Sequence, residues 1–287
     1  MKLLLNMPVF SRPSLAFVTA LSLLCVAPVR AETKDIGGNP PQKIDVSKLR
    51  TQVEDVVIPV PSEVFKALDK LGTPPWASEV RVNEKGSTPS VRTHLSLLFG
   101  TVVADGFLAV QAKDADKVKK IGRRVLELAT ALGVRSNVIS HTQSIIEAAD
   151  KGDWNEVRTE LDKTQGEVKS AMEQLKDRDY SELVSIGGWL RGTEALTSIV
   201  RKDYNADRAE LLHQPDLLLT FDRQLNSMND RTRRDALVAK LQSGLAEIRP
   251  LIANADADIN KDTVERINGI TSDLVRAISP MSATSTP

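Results

Sequence analysis

From Val91 to Ala112 the chain reads VRTHLSLLFGTVVADGFLAVQA, a segment with apolar residues on nearly every side of a helix. Such a helix has no face to give to water, so it must be enclosed by other helices or by lipid. Lipid is the poorer surrounding. The run contains Asp105, three hydroxyl residues and two glycines, and its apolar block is barely long enough to span a bilayer. The chain is therefore expected to wrap a central helix at 91–112 in amphipathic partners.

Those partners are written downstream as apolar residues three or four apart. Val118, Ile121, Val125, Leu128 and Leu132 mark a helix over 115–132, with Gly133 as its stop. Val138, Ile139, Ile145 and Ile146 mark a shorter one over 136–150. From 153 to 177, Trp154, Leu161, Val168 and Leu175 recur every seven positions, with Val157, Thr164 and Ala171 between them. Lys151-Gly152-Asp153 supplies a turn and a capping acid ahead of Glu156, so 136–150 and 153–177 should form an antiparallel hairpin. Further helices are expected at 181–202, at 206–228 with a break at Pro215, and around Leu237, Leu241, Leu245 and Ile248 up to Arg249-Pro250. The last should start near a capping Asp262 and bury Val264, Ile267, Leu274 and Ile278.

Upstream of the central helix the pattern is irregular. Ser62 is expected to cap a short helix ending at Gly72, and 73–90 reads as mostly loop. The apolar residues of 53–60 suit either one strand or an extended segment laid against helices. No alternating strand series is present, so the expected fold class is all-α: a multi-helix, mainly antiparallel bundle with an irregular N-terminal extension. The expected division is a leader at 1–31, an extension at 32–90, the bundle at 91–279 and a disordered tail at 280–287. One internal echo stands out. Asp105 with Lys113-Asp114, and Glu194 with Lys202-Asp203, repeat at an offset of 89, although the residues between them match poorly.

The start of the chain, MKLLLNMPVFSRPSLAFVTALSLLCVAPVRA, bears on compartment. Basic residues precede an apolar run from Ser14 to Ala27, and Val29-Arg30-Ala31 offers a −3/−1 pattern for cleavage after Ala31. The run is short for a retained membrane anchor, and Ser22-Leu23-Leu24 before Cys25 lacks the small residues of a lipidation site. Export to the periplasm or the exterior is expected, with no stable membrane insertion of the mature chain. Cleavage would remove the single cysteine, and with it disulfides, thiolate metal ligands and cysteine nucleophiles. It would also leave 35 basic against 38 acidic residues, a balance that argues against nucleic acid as a partner.

Motifs for chemistry are sparse. NADADINKDTVE over 254–265 places Asn254, Asp256, Asp258, Asp262 and Glu265 at the spacing of an EF-hand calcium loop, which it resembles. Ile259 stands where that loop needs glycine and Lys261 where it has an apolar residue, so an acidic interhelical loop without metal is expected. His94, His141 and His213 are far apart and form no His-Glu-x-x-His pattern. No nucleophile elbow, Gly-rich phosphate loop or haem-attachment motif occurs, and no cofactor is expected. Arg123-Arg124 and Arg233-Arg234 lie in mixed charge without the aromatic residues that stack bases.

Three charges resist a reading as surface decoration. Asp105 interrupts the apolar central segment, and Arg191 and Glu194 lie in GGWLRGTEALTSIV, where Gly187, Gly188 and Gly192 would allow close helix approach. Asp105, Arg191 and Glu194 are expected to form a buried polar network, or else part of a ligand site. Trp76, in Pro74-Pro75-Trp76, is a candidate interaction anchor for a protein or small-molecule partner; the competing expectation is that it clasps the extension onto its own bundle. The resulting functional expectation is an exported helical binding or interaction module. The alternative is a hydrolase or metal-assisted enzyme whose carboxylates converge between helices.

Overall fold

In the computed structural model the apolar segment folds as α3 (Arg92–Gln111), gripped along its length by α7 (Arg178–Lys202). The structure describes residues 49–53, 56–82, 86–174, 178–253 and 259–279, all within the compact unit Lys43–Pro287. The expected leader and its expected cleavage after Ala31, Cys25, the loop residues Asn254, Asp256 and Asp258, and the expected tail at 280–287 lie outside the described residues.

Leu97 of α3 meets Gly187 of α7, Gly100 meets Val184 and Gly188, and Asp105 meets Arg191, so the two helices run parallel. Their backbones nearly touch. A methyl group on Gly100 would overlap the Val184 carbonyl oxygen, and one on Gly187 would overlap that of Leu97. Gly188 sits at ordinary contact distance and Gly192 faces open space, so only one of the three glycines of α7 is demanded by the crossing. Its true counterpart is Gly100 on the other helix. Arg92–Gln111 is long and apolar enough to cross a membrane, and two thirds of its most apolar window is buried inside the protein.

Around this pair the remaining helices form an all-α, multi-helix fold. α4 (Ala115–Leu132) returns along α3, capped by Asp114 and closed by Gly133 in the left-handed conformation. α5 (Arg135–Asp150) and α6 (Trp154–Gln174) make a hairpin, with Asp153 accepting the Glu156 N–H. Beyond α7 the chain breaks into α8 (Ala206–Ala209), a 3-10 turn at Glu210–Leu212 and α9 (Pro215–Ser227), the restart falling on the proline. α10 (Asp230–Arg233) leads to α11 (Ala236–Ile252), whose last turn absorbs Pro250, and α12 (Lys261–Ile278) packs on both α11 and α7.

Two caps differ from expectation. Asn260, rather than Asp262, caps α12 by accepting the Thr263 N–H at 2.9 Å; Asp262 sits in the first turn, where its charge still favours the helix dipole. α1 (Pro61–Asp69) starts at Pro61, whose ring presets the helical φ, and the Ser62 N–H is met at 2.8 Å by Asp162 of α6 instead of capping itself. The extension also holds more structure than its sequence advertised. β1 (Arg50–Val53) and β2 (Val56–Pro59) pair antiparallel with Arg50 opposite Pro59, and α2 (Trp76–Glu79) forms in the stretch read as loop.

Apolar burial divides into two clusters. One joins Leu95 to Phe99 of α3 with Leu183, Ile186 and Leu190 of α7 and the inner faces of α9, α11 and α12. The other joins Leu108 to Val110 of α3 with Phe65, Leu71, Trp76, Val157, Ala195 and Ile199. Val102, Val125 and Leu196 touch both. The buried charges of α3 and α7 between the clusters are Asp105, Arg191 and Glu194.

Candidate functional site

The structure brings Asp105, Arg191 and Glu194 together in that interval. Arg191, only 1% exposed, donates from Nε (3.0 Å) and Nη2 (2.8 Å) to Asp105 Oδ1, and from Nη1 to Glu194 Oε2 at 3.2 Å. Its Nη2 also reaches the Glu79 carbonyl. A fourth member was not legible in the sequence: Arg81, from the loop after α2, donates its backbone N–H to Asp105 (3.0 Å) and its guanidinium to Glu194 (2.5 Å). Glu194 extends the network through its backbone carbonyl, which accepts from Asn268 of α12, itself bonded to Thr197 Oγ1 at 2.9 Å.

Two carboxylates thus face two guanidiniums. Burial pushes the Asp105 carboxyl above the ordinary aspartate value, against the opposing pull of Arg191 and the hydrogen bond from Arg81. Every formal charge in the group has a partner of opposite sign. What the network can do is fix the relative position of α3 and α7 and bind the 79–81 segment across them.

The second place with chemical content is a cleft of about 680 Å³ built from three segments far apart in sequence. The α1–α2 connection and the start of α2 supply Pro74, Pro75 and Trp76, the α3–α4 turn supplies Lys113, and the N-terminal part of α6 supplies Trp154, Asn155 and Arg158. Trp76 is 5% exposed and packs in the second apolar cluster, so it belongs to the cleft's floor; Trp154 is half-buried. Its indole Nε1 has no hydrogen-bond partner in the case of Trp76.

Arg158 grips Asp69 through both carboxylate oxygens (2.7 and 2.9 Å), donates to Gln111 Oε1 at 3.0 Å and lies 4.7 Å above the Phe65 ring centre. Gln111 returns a hydrogen bond to Asp69 at 3.0 Å. The hydrogen bond from Arg158 holds the Asp69 carboxyl below its ordinary range, outweighing partial burial. Phe65 in turn stacks on Phe107 of α3, which anchors this wall to the core.

The histidines do not meet. His94 bonds Asp235 at 3.1 Å, His141 lies between Glu160 and Glu167, and His213 is buried beside Glu210. Among the described residues no three metal-ligating side chains converge. At the end of the calcium-like stretch, Ile259 is buried and its carbonyl accepts from Tyr204, while Glu265 pairs with Arg201 at 3.4 Å. No protein-family model, curated protein or solved structure matches the chain.

Proposed function

We propose that the chain is an exported helical binding module that takes its ligand at the Trp76–Trp154 cleft. The observation that carries this reading is the cleft itself, a concavity of about 680 Å³ that combines two indoles with a rigid wall of paired polar groups. The cleft is half open, and a second depression of about 620 Å³ lies among Thr88, Arg123, Glu127 and Arg135, so the lining of the first rather than its volume supports the reading. The buried Asp105–Arg191–Glu194–Arg81 group supports the division of labour, since its charges neutralise one another and hold the bundle together. The apolar leader and its Val29-Arg30-Ala31 ending support export.

The test is ligand-observed NMR on the protein from Glu32 onward, screened against a fragment library, followed by amide shift mapping. Binders should shift residues 72–77, 111–113 and 154–158 and should lose affinity in Trp154→Ala. Hits that map elsewhere, or an empty screen, would count against the cleft. N-terminal sequencing of protein recovered from the exported fraction should start at Glu32; a mature chain retaining residues 2–31 would remove the export half of the reading.

A further inference from the structure

We propose that residues 79–82 form a charge-latched strap that swings off the bundle while α3 and α7 stay packed, uncovering the Asp105–Arg191–Glu194 group to water. The ties of this segment run to charged side chains of those two helices. The Glu79 carbonyl accepts from Arg191, and the Glu79 carboxylate accepts from Lys202 at 2.7 Å. The Arg81 N–H donates to Asp105, and the Arg81 guanidinium pairs with Glu194. Among the described residues, Arg81 and Val82 make no backbone–backbone hydrogen bond. Apolar anchorage comes from Val80 and the partly buried Val82, while the Arg81 side chain is 43% exposed.

The helices beneath are held by other means. Gly100 against Val184 and Gly187 against Leu97 set their approach, and Leu183, Ile186 and Leu190 of α7 lie in the apolar cluster that includes Leu95 to Phe99 of α3. None of these contacts involves 79–82. Removing the strap therefore leaves the α3–α7 seam intact, and its opening can occur at a lower free energy than unfolding of the bundle.

Opening exchanges these charged ties for water. Closed, the burial that raises the Asp105 carboxyl outweighs the pull of Arg191 and Arg81, so the ties do not fully compensate the desolvation of its charge. Water admitted by the opening rehydrates Asp105 and Glu194 and offsets part of the bonds lost. With Arg81 withdrawn, two carboxylates face the single cation Arg191, and that excess negative charge draws Arg81 back. The latch thus closes by an attraction that salt weakens, whereas a clasp held by apolar packing would not loosen in this way.

Two readouts test this: hydrogen exchange of the amide at position 81, and labelling of Arg191 by phenylglyoxal mapped by mass spectrometry. Amides of α11 and α12 report global unfolding. In wild type the position-81 amide should exchange at least about tenfold faster than the slowest amides of α11 and α12, and Arg191 should label while those stay protected. Raising sodium chloride from about 0.1 M to about 1 M, which cuts the screening length from roughly 10 to 3 Å, should speed both readouts without changing α11 or α12. Arg81→Gln should speed both about tenfold, as loss of a charged hydrogen bond does, and should remove most of the salt response. Arg249→Gln, which deletes an exposed pair with Asp222, should change neither. Exchange at position 81 and labelling of Arg191 only in step with α11 and α12 would overturn the strap as a separate unit. Fast exchange at position 81 with Arg191 unlabelled would overturn the uncovering, and indifference of both readouts to salt and to Arg81→Gln would overturn the charge latch.

Discussion

Asp105 and Asp69 each accept two hydrogen bonds from a single arginine, yet their carboxyls move in opposite directions. Around Asp105 the largest influence is burial, which raises it even though Arg191 and Arg81 pull the other way. Around Asp69 the largest influence is the Arg158 hydrogen bond, which lowers it because the pair lies half in water at the cleft. The same two residue types therefore serve different ends. Between the two apolar clusters the ion pairs specify how α3 and α7 align, at a desolvation cost. At the cleft they stiffen one wall at little desolvation cost.

The largest break in that comparison should come from removing the arginines. Arg191→Met leaves buried Asp105 without a charged partner, while Glu194 keeps Arg81, and should cost about 3–5 kcal/mol, as loss of one partner from a buried pair does. Arg158→Met should cost only about 1 kcal/mol, since an exposed pair and a surface cation–π contact are each worth that or less. Urea unfolding at neutral pH measures both. Similar losses at the two sites would mean that Arg191 is better hydrated than its burial implies. A double-mutant cycle with Asp105→Asn and Arg191→Gln should show strong coupling, and the Asp69→Asn, Arg158→Gln cycle weak coupling.

A smaller effect tests whether backbone approach sets the alignment on which the network depends. Gly187→Ala and Gly100→Ala drive a methyl into a carbonyl of the facing helix and should cost about 1–3 kcal/mol each. Gly192→Ala meets open space in the same helix and should stabilise by roughly 0.5–1 kcal/mol through helix propensity. If all three substitutions behave alike, α3 and α7 are not in contact at Leu97 and Val184.

These sites differ in how far the sequence reveals them. Helical periodicity exposes most of the bundle, because apolar residues recur at spacings that only one secondary structure can bury on one face. Asp105, Arg191 and Glu194 stand out for the complementary reason, as charges where the pattern calls for apolar side chains. Arg81 is silent, since it lies in a loop with no periodic frame, and its role exists only once α2 docks on α7. Gly100 is silent too, because a single glycine in an apolar helix has many readings until its partner is known. The cleft is the extreme case. Asp69 and Arg158 are 89 residues apart, and 72–77, 111–113 and 154–158 carry no shared signal, so their union is a product of tertiary folding alone.

The smallest effect, and the one that tests the comparison most directly, is the pH dependence of the two aspartates. Asp105 is raised in the folded state above its ordinary value of 3.8, so folding favours its protonated form. Its contribution to stability is greatest below that value and is lost as pH rises through the raised folded value. Asp69 is lowered, so its contribution is present above the ordinary value and is lost as pH falls through the depressed one. The difference in unfolding free energy between wild type and Asp105→Asn should therefore shrink with rising pH in the first window. The difference between wild type and Asp69→Asn should shrink with falling pH in the second. Salt separates them further: raising ionic strength should flatten the Asp69 dependence, because its side chain is about half exposed, and should leave the Asp105 dependence nearly unchanged. Slopes of the same sign would show that hydrogen bonding from Arg191 outweighs burial at Asp105, and the two pairs would then differ in degree rather than in kind.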